Sequence, residues 1–161
     1  MPEKFVVNAS PLIILGKINQ LHLLPSLADE LVVPYGVFKE ILAGSPGDPA
    51  REWLNGPGKA FVKEIGPLEP EVLKWDLGLG ETEVLTFAYR NRDFIALLDD
   101  RAARKCAKTL DIKTKGTLAI LVLARKRKLL PDITTVLDRI EQAGFYVSPS
   151  LLKAVKRLAS E

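Results

Sequence analysis

Asn8, Glu40, Glu81 and Asp99 are oxygen-bearing side chains set where the pattern otherwise calls for apolar residues or tight turns. Asn8 follows the apolar run Phe5-Val6-Val7, and Asp99-Asp100 follows Phe94 to Leu98, so both fall at the carboxyl ends of predicted strands. Ligands in open α/β sheets bind at that edge, where strands stop and helix amino termini point into the crevice. At about 100° per residue Glu81 lies within the stripe of Val84, Leu85 and Ala88, whereas Glu83 points away from it. Glu40 lies at the edge of its helix's stripe, about 60° from Val37. A carboxylate turned toward a core is tolerated when it is paired, hydrogen-bonded or bound to a metal. Oxygen ligands gathered in this way suit Mg²⁺ or Mn²⁺, which can activate water and clamp a phosphate. Each group also has a structural reading: Asn8 turns the chain, Glu81 complements a helix dipole, Glu40 pairs with a lysine, and Asp99-Asp100 caps the next helix.

The elements that must position these groups alternate in type. Phe5–Val7, Glu30–Val33 and Phe94–Leu98 read as buried strands, with a short strand near Ile112 and a strand-like run at Phe145–Val147. Helices are predicted from Pro11 to about Asn19 with Ser10 as N-cap, and over Leu21–Ala28, Tyr35–Ala43, Gly80–Arg90, Arg101–Leu110, Gly116–Ala124, Ile133–Ala143 and Ser148–Ala159. Glu71–Leu77 reads as a helical turn. This alternation predicts an α/β fold, a three-layer α-β-α sandwich around a central parallel sheet. Residues 44 to 70 hold Pro46, Pro49, Pro57, Pro67 and Pro70, a helix-like run at Pro49–Asn55 and a strand-like run at Ala60–Ile65. They read as a Gly/Pro-rich arm or lid on a single domain spanning residues 1–161.

Composition sets bounds. The chain has 161 residues, 47% apolar, enough for one core. With 23 Lys and Arg against 20 Asp and Glu, the charge of +3 permits a polyanionic partner without requiring one. One Cys and one His cannot build a zinc site, and the lone Cys106 is expected to be a buried thiol in an intracellular, cytoplasmic protein. The start lacks a signal pattern, and the apolar run Leu118–Ala124 is far short of a membrane span, so a soluble protein without export signal is expected. That run is apolar almost all round, which predicts a buried helix or a homodimer interface.

Arg101, Arg104, Lys105 and Lys108 follow Asp99 on one helix and could track a phosphodiester backbone, although a solvated basic face is an equal reading. Arg125 to Lys128 is better read as complementing a helix carboxyl terminus. Interleaved aromatics are scarce, so backbone contact without sequence preference is expected. A phospho-acceptor or phosphatase-like domain using Asp99 or Asp100 as nucleophile is the third reading, ranked last because the first strand carries no aspartate.

Val6-Val7-Asn8-Ala9-Ser10-Pro11-Leu12-Ile13, Glu40, Gly80-Glu81 and Leu97-Leu98-Asp99-Asp100-Arg101-Ala102-Ala103-Arg104, in this order and spacing, resemble the PIN-domain family. Gly116-Thr117-Leu118 and Gly144-Phe145-Tyr146-Val147-Ser148 are similar to one of its subgroups, and the resemblance covers about residues 4 to 158. It implies a metal-dependent endoribonuclease, in many relatives the toxin of a toxin-antitoxin pair, with RNA as substrate and an antitoxin protein as partner. By resemblance Asn8, Glu40, Glu81 and Asp99 match the four acidic positions, so Mg²⁺ or Mn²⁺ would be held there with Glu40, Glu81 and Asp99 catalytic. Ser10 matches a small hydroxyl residue of the first motif, and Asp100 and Glu83 are near alternatives as ligands. Arg101, Arg104 and Lys105 would bind substrate. Asn8 departs from the pattern, since a carboxamide leaves the site one negative charge short. A catalytically weakened RNA- or protein-binding module is therefore the alternative.

Overall fold

The computed structural model describes residues 3–160. Strand β1 (Glu3–Val7) lies at the centre of a five-stranded, all-parallel sheet. It is flanked by β2 (Ala28–Pro34) on one side and β4 (Ile95–Leu97) on the other. The short β3 (Val62–Lys63) and β5 (Thr114–Lys115) form the edges, in the order β3-β2-β1-β4-β5. Phe5, Val6 and Val7 are buried, as a strand covered on both faces requires. Val6 sits opposite Val32 on β2 and Ala96 on β4, and Val7 opposite Leu97. This register aligns the strand ends, which places Asn8 level with the chain leaving β4.

The helices α1 (Ala9–Lys17), α2 (Leu23–Leu27), α3 (Tyr35–Leu42), α6 (Leu79–Arg90) and α7 (Arg101–Thr109) follow the strands or link them. With α8 (Thr117–Lys126), α9 (Thr134–Gln142) and α10 (Pro149–Leu158) they complete a three-layer α-β-α architecture, as the alternating pattern predicts. Three helix starts that matter for the site sit directly after strands: α1 after β1, α3 after β2 and α8 after β5.

Four local expectations are corrected. Helix α1 starts at Ala9, so Asn8 holds the N-cap position and Ser10 is already inside the first turn. Residues 145–147 form no strand; they are a loop between α9 and α10. The proline-rich segment carries α4 (Pro49–Asn55) and the edge strand β3, both within the helix-like and strand-like runs expected there, with a 3₁₀ turn (Pro57–Phe61) and the short α5 (Pro70–Leu73). Ala50, Leu54 and Val72 from it are fully buried, so it packs as part of the body and does not stand off as a lid. Helix α8, nearly apolar on all sides, packs against α1 and α10 of its own chain, which removes the reason for assigning it to a dimer interface.

Candidate functional site

Because β1 and β4 are neighbours, their carboxyl ends bring Asn8 and Asp99 to one place, and the Asn8 N–H donates to the Leu97 carbonyl at 3.1 Å. Asn8 is only 6% exposed, yet its carboxamide makes no capping bond to α1. The backbone turns the chain there, and the side chain is left over for the pocket. That pocket, about 410 Å³, is lined by Asn8, Ala9, Ser10, Glu40, Glu81, Asp99 and Asp100. All four residues singled out as ligands are thus brought together, with Ser10 and Asp100.

Each carboxylate has a distinct tether. Asp99 accepts from the Thr117 N–H at 2.8 Å and from the Thr117 hydroxyl at 2.6 Å, and Ser10 Oγ donates to it at 3.3 Å. It thereby caps α8, whereas the sequence pattern assigned it to α7; the cap of α7 is Asp100, which accepts from Ala103 N–H at 2.9 Å. Glu81 reaches back to the Gly78 N–H at 3.3 Å at the start of α6. Glu40 comes from α3 and approaches α6 at Gly80, where a Cβ would stand 3.0 Å from Glu40 Oε1 and 3.4 Å from Asn8 Oδ1. Glycine at 80 therefore keeps open a space beside these two side-chain oxygens that a methyl group would crowd.

The electrostatics of the pocket are those of crowded like charges. Burial raises the Glu81 carboxyl above its ordinary value of 4.5, and the neighbouring charge of Asp100 and then of Glu40 push the same way, against the Gly78 N–H. An all-oxygen set of this kind is the chemistry of hard cations, and a bound cation would relieve the repulsion. Asn8, Glu40, Glu81, Asp99 and Asp100 are the oxygen-bearing residues that line the pocket. Among the described residues no group of three or more His, Cys, Asp and Glu is arranged to hold a metal ion, and Asp99, Asp100 and Glu81 each accept from a local N–H donor.

Glu83, the near alternative, does not enter the pocket. Its Oε1 accepts from Gly36 N–H at 2.6 Å and so ties α6 to the first turn of α3. Arg101, Arg104 and Lys105 also lie outside the acidic pocket, in an adjoining groove of about 630 Å³ shared with Lys108 and Lys113. Arg104 stays closest to the site, with Nη1 donating to the Leu98 carbonyl at 3.2 Å beside Asp99. Thr117, which the sequence pattern left without a role, meets Asp99 at the pocket's edge. Its signal was the Gly116-Thr117 pair opening a helix after a strand, but only the fold shows that its donors meet Asp99. No helix of the described residues is long and apolar enough to cross a membrane.

The model of a protein family described as a PIN domain matches residues 4–161 of the chain. Neither the curated proteins nor the solved structures provide a match.

Proposed function

The chain belongs to the PIN-domain family, a nuclease-type fold, and from that premise we propose that it is a Mg²⁺- or Mn²⁺-dependent endoribonuclease. The observation that carries this reading is the convergence of Asn8, Glu40, Glu81 and Asp99 on one pocket at the carboxyl edge of the sheet. Glu40, Glu81 and Asp99, with the carboxamide oxygen of Asn8, would hold the ion, and Asp100 stands beside Glu81 as a further oxygen donor. Bound there, the ion would supply an activated water and neutralise charge at the scissile phosphate.

The protein's own groups do the rest. Thr117 holds both oxygens of Asp99, fixing the carboxylate's orientation as a supporting residue does for a ligand. Ser10 lies between Asp99 and the pocket's interior, where its hydroxyl can meet a phosphate oxygen. Arg101, Arg104 and Lys105 in the adjoining groove offer phosphate contacts to the strand as it leaves the site, which binds the backbone without reading sequence. The order of motifs extends the proposal to a cytoplasmic toxin countered by an antitoxin protein.

Asn8 favours a second reading. With a neutral amide at the buried central position, the pocket could serve an RNA- or protein-binding module with weak metal affinity and no turnover. Calorimetric titration with Mn²⁺ of the wild type, Glu81→Gln and Asp99→Asn, with cleavage of a mixed RNA pool by the same preparations, separates the two. Binding and cleavage lost together in both variants support the nuclease. Saturable binding without cleavage leaves the binding module, and no binding refutes the metal-dependent reading.

A further inference from the structure

Beside the acidic pocket lies an apolar groove of about 210 Å³, lined by Ile14, Leu118, Ile140, Phe145 and Tyr146, with Asp99 and Thr117 at its wall. Asp99 lines both cavities, so the apolar groove lies directly beside the acidic pocket. Tyr146 is 85% exposed and, among the described residues, makes no hydrogen bond or ring contact. The backbone on either side of it is nonetheless anchored. Gly144, at φ +95°, ends α9 with its N–H on the Glu141 carbonyl, and Phe145 N–H bonds the Ile140 carbonyl at 3.1 Å. On the other side Val147 is buried and Ser148 Oγ accepts from Leu151 N–H at 3.2 Å, capping α10. An exposed aromatic ring carried on a segment whose backbone is anchored at both ends offers a face for stacking.

We propose that this groove receives an unpaired nucleobase of single-stranded RNA, stacked on Tyr146 and lined by Leu118 and Phe145, beside the acidic pocket, where a bound cation would hold the adjoining phosphate. The assignment rests on the nuclease reading above and deepens it. A nucleotide unit joins a charged group to a flat apolar one, which is the order in which the acidic pocket and the groove are met. The groove's apolar walls and the adjoining carboxylates disfavour a bare phosphate, and the Thr117 hydroxyl is already committed to Asp99, so the walls offer stacking in preference to base-edge readout. A duplex cannot present its bases this way.

The test is fluorescence anisotropy with a labelled single-stranded RNA hexanucleotide, and with six derivatives each lacking one base, in Ca²⁺ so that binding is read apart from cleavage. Wild type should lose about five- to 150-fold in affinity for one abasic position, the range of one base–aromatic stack. Tyr146→Ala should lose as much with the intact strand and nothing further with that abasic derivative, while Tyr146→Phe stays within about twofold because the ring carries the stack. The exposed position leaves the core untouched, and an unchanged thermal midpoint verifies it. Wild-type affinity in Tyr146→Ala overturns the subsite. So does an equal loss by Tyr146→Ala on the intact strand and on every abasic derivative, since the ring's contribution would then depend on no single base. Absence of RNA binding by the wild type overturns the subsite together with the nuclease reading, whereas RNA binding that is indifferent to Tyr146 overturns the subsite alone.

Discussion

The hydroxyl of Thr117 donates to Asp99 Oδ2 at 2.6 Å while the Thr117 backbone N–H donates to Oδ1 at 2.8 Å, so the first turn of α8 holds the carboxylate that ends β4. Thr117→Val keeps the backbone bond and removes the hydroxyl. A hydrogen bond to a charged group contributes about 1.5 to 3 kcal/mol, and the exposed side of Asp99 puts this one at the low end. Urea unfolding should show that loss, and Mn²⁺ affinity should fall by about tenfold, as expected for removing a residue that orients a ligand. Thr117→Ser should restore both.

Asn8→Asp adds a carboxylate to a pocket already crowded with them. Without metal the variant should unfold at a lower temperature than wild type, because the new charge is 94% buried if it takes the place of a side chain 6% exposed. With metal the order should reverse, and calorimetry should show Mn²⁺ binding tighter by on the order of tenfold, since ligand charge count sets affinity in oxygen sites.

Glu83→Ala separates the scaffold from the site. The Gly36 N–H would lose its 2.6 Å acceptor in a half-buried place, at a cost of about 1 to 3 kcal/mol. Chemical denaturation should register this, while Mn²⁺ affinity stays at the wild-type value.

Asp132 accepts from Thr135 N–H at 2.7 Å and from the Thr135 hydroxyl at 3.1 Å, and these bonds, the backbone one foremost, hold its carboxyl below the ordinary 3.8. A depressed folded-state pKa gives stability that is present above the unfolded value and is lost as pH falls through the folded one. Asp132→Asn should therefore melt below wild type at pH 7, and the gap should close as the pH is taken below 3.8. Thermal melts across that range check it.

Cys106 is fully buried, and burial pushes its thiol above the ordinary value. A thiol reagent such as DTNB should leave the native protein unmodified and titrate one thiol after denaturation.

The strands and the helices between them were legible because buried parallel strands give continuous apolar runs, as at Phe5–Val7 and Phe94–Leu98. The acidic residues stood out because a carboxylate on an apolar stripe, as at Glu81, is costly unless something answers it. What the pattern could not give was which donor answers which acid. Asp99 and Thr117 are distant in sequence and meet only because β5 lies beside β4. Glu83 looked solvent-facing on its own helix, since the N–H that receives it belongs to α3. Phe145-Tyr146-Val147 has strand composition, yet with Gly144 in the left-handed region before it and Ser148 capping a helix after it, the segment has no room to pair. The strand-like run at Ala60–Ile65 does contain β3, but β3 is two residues long, and its place at the sheet edge beside β2 could not be read from it.

Both outer strands of the sheet are only two residues long, and each ends where a helix or a loop takes over. So short a border presents almost no free row of backbone donors and acceptors on which a foreign strand could register. Growth of the sheet from one molecule into the next is discouraged by construction, at high concentration as well as low. Any lasting companion of this protein has to be recognised by shape and by side chains.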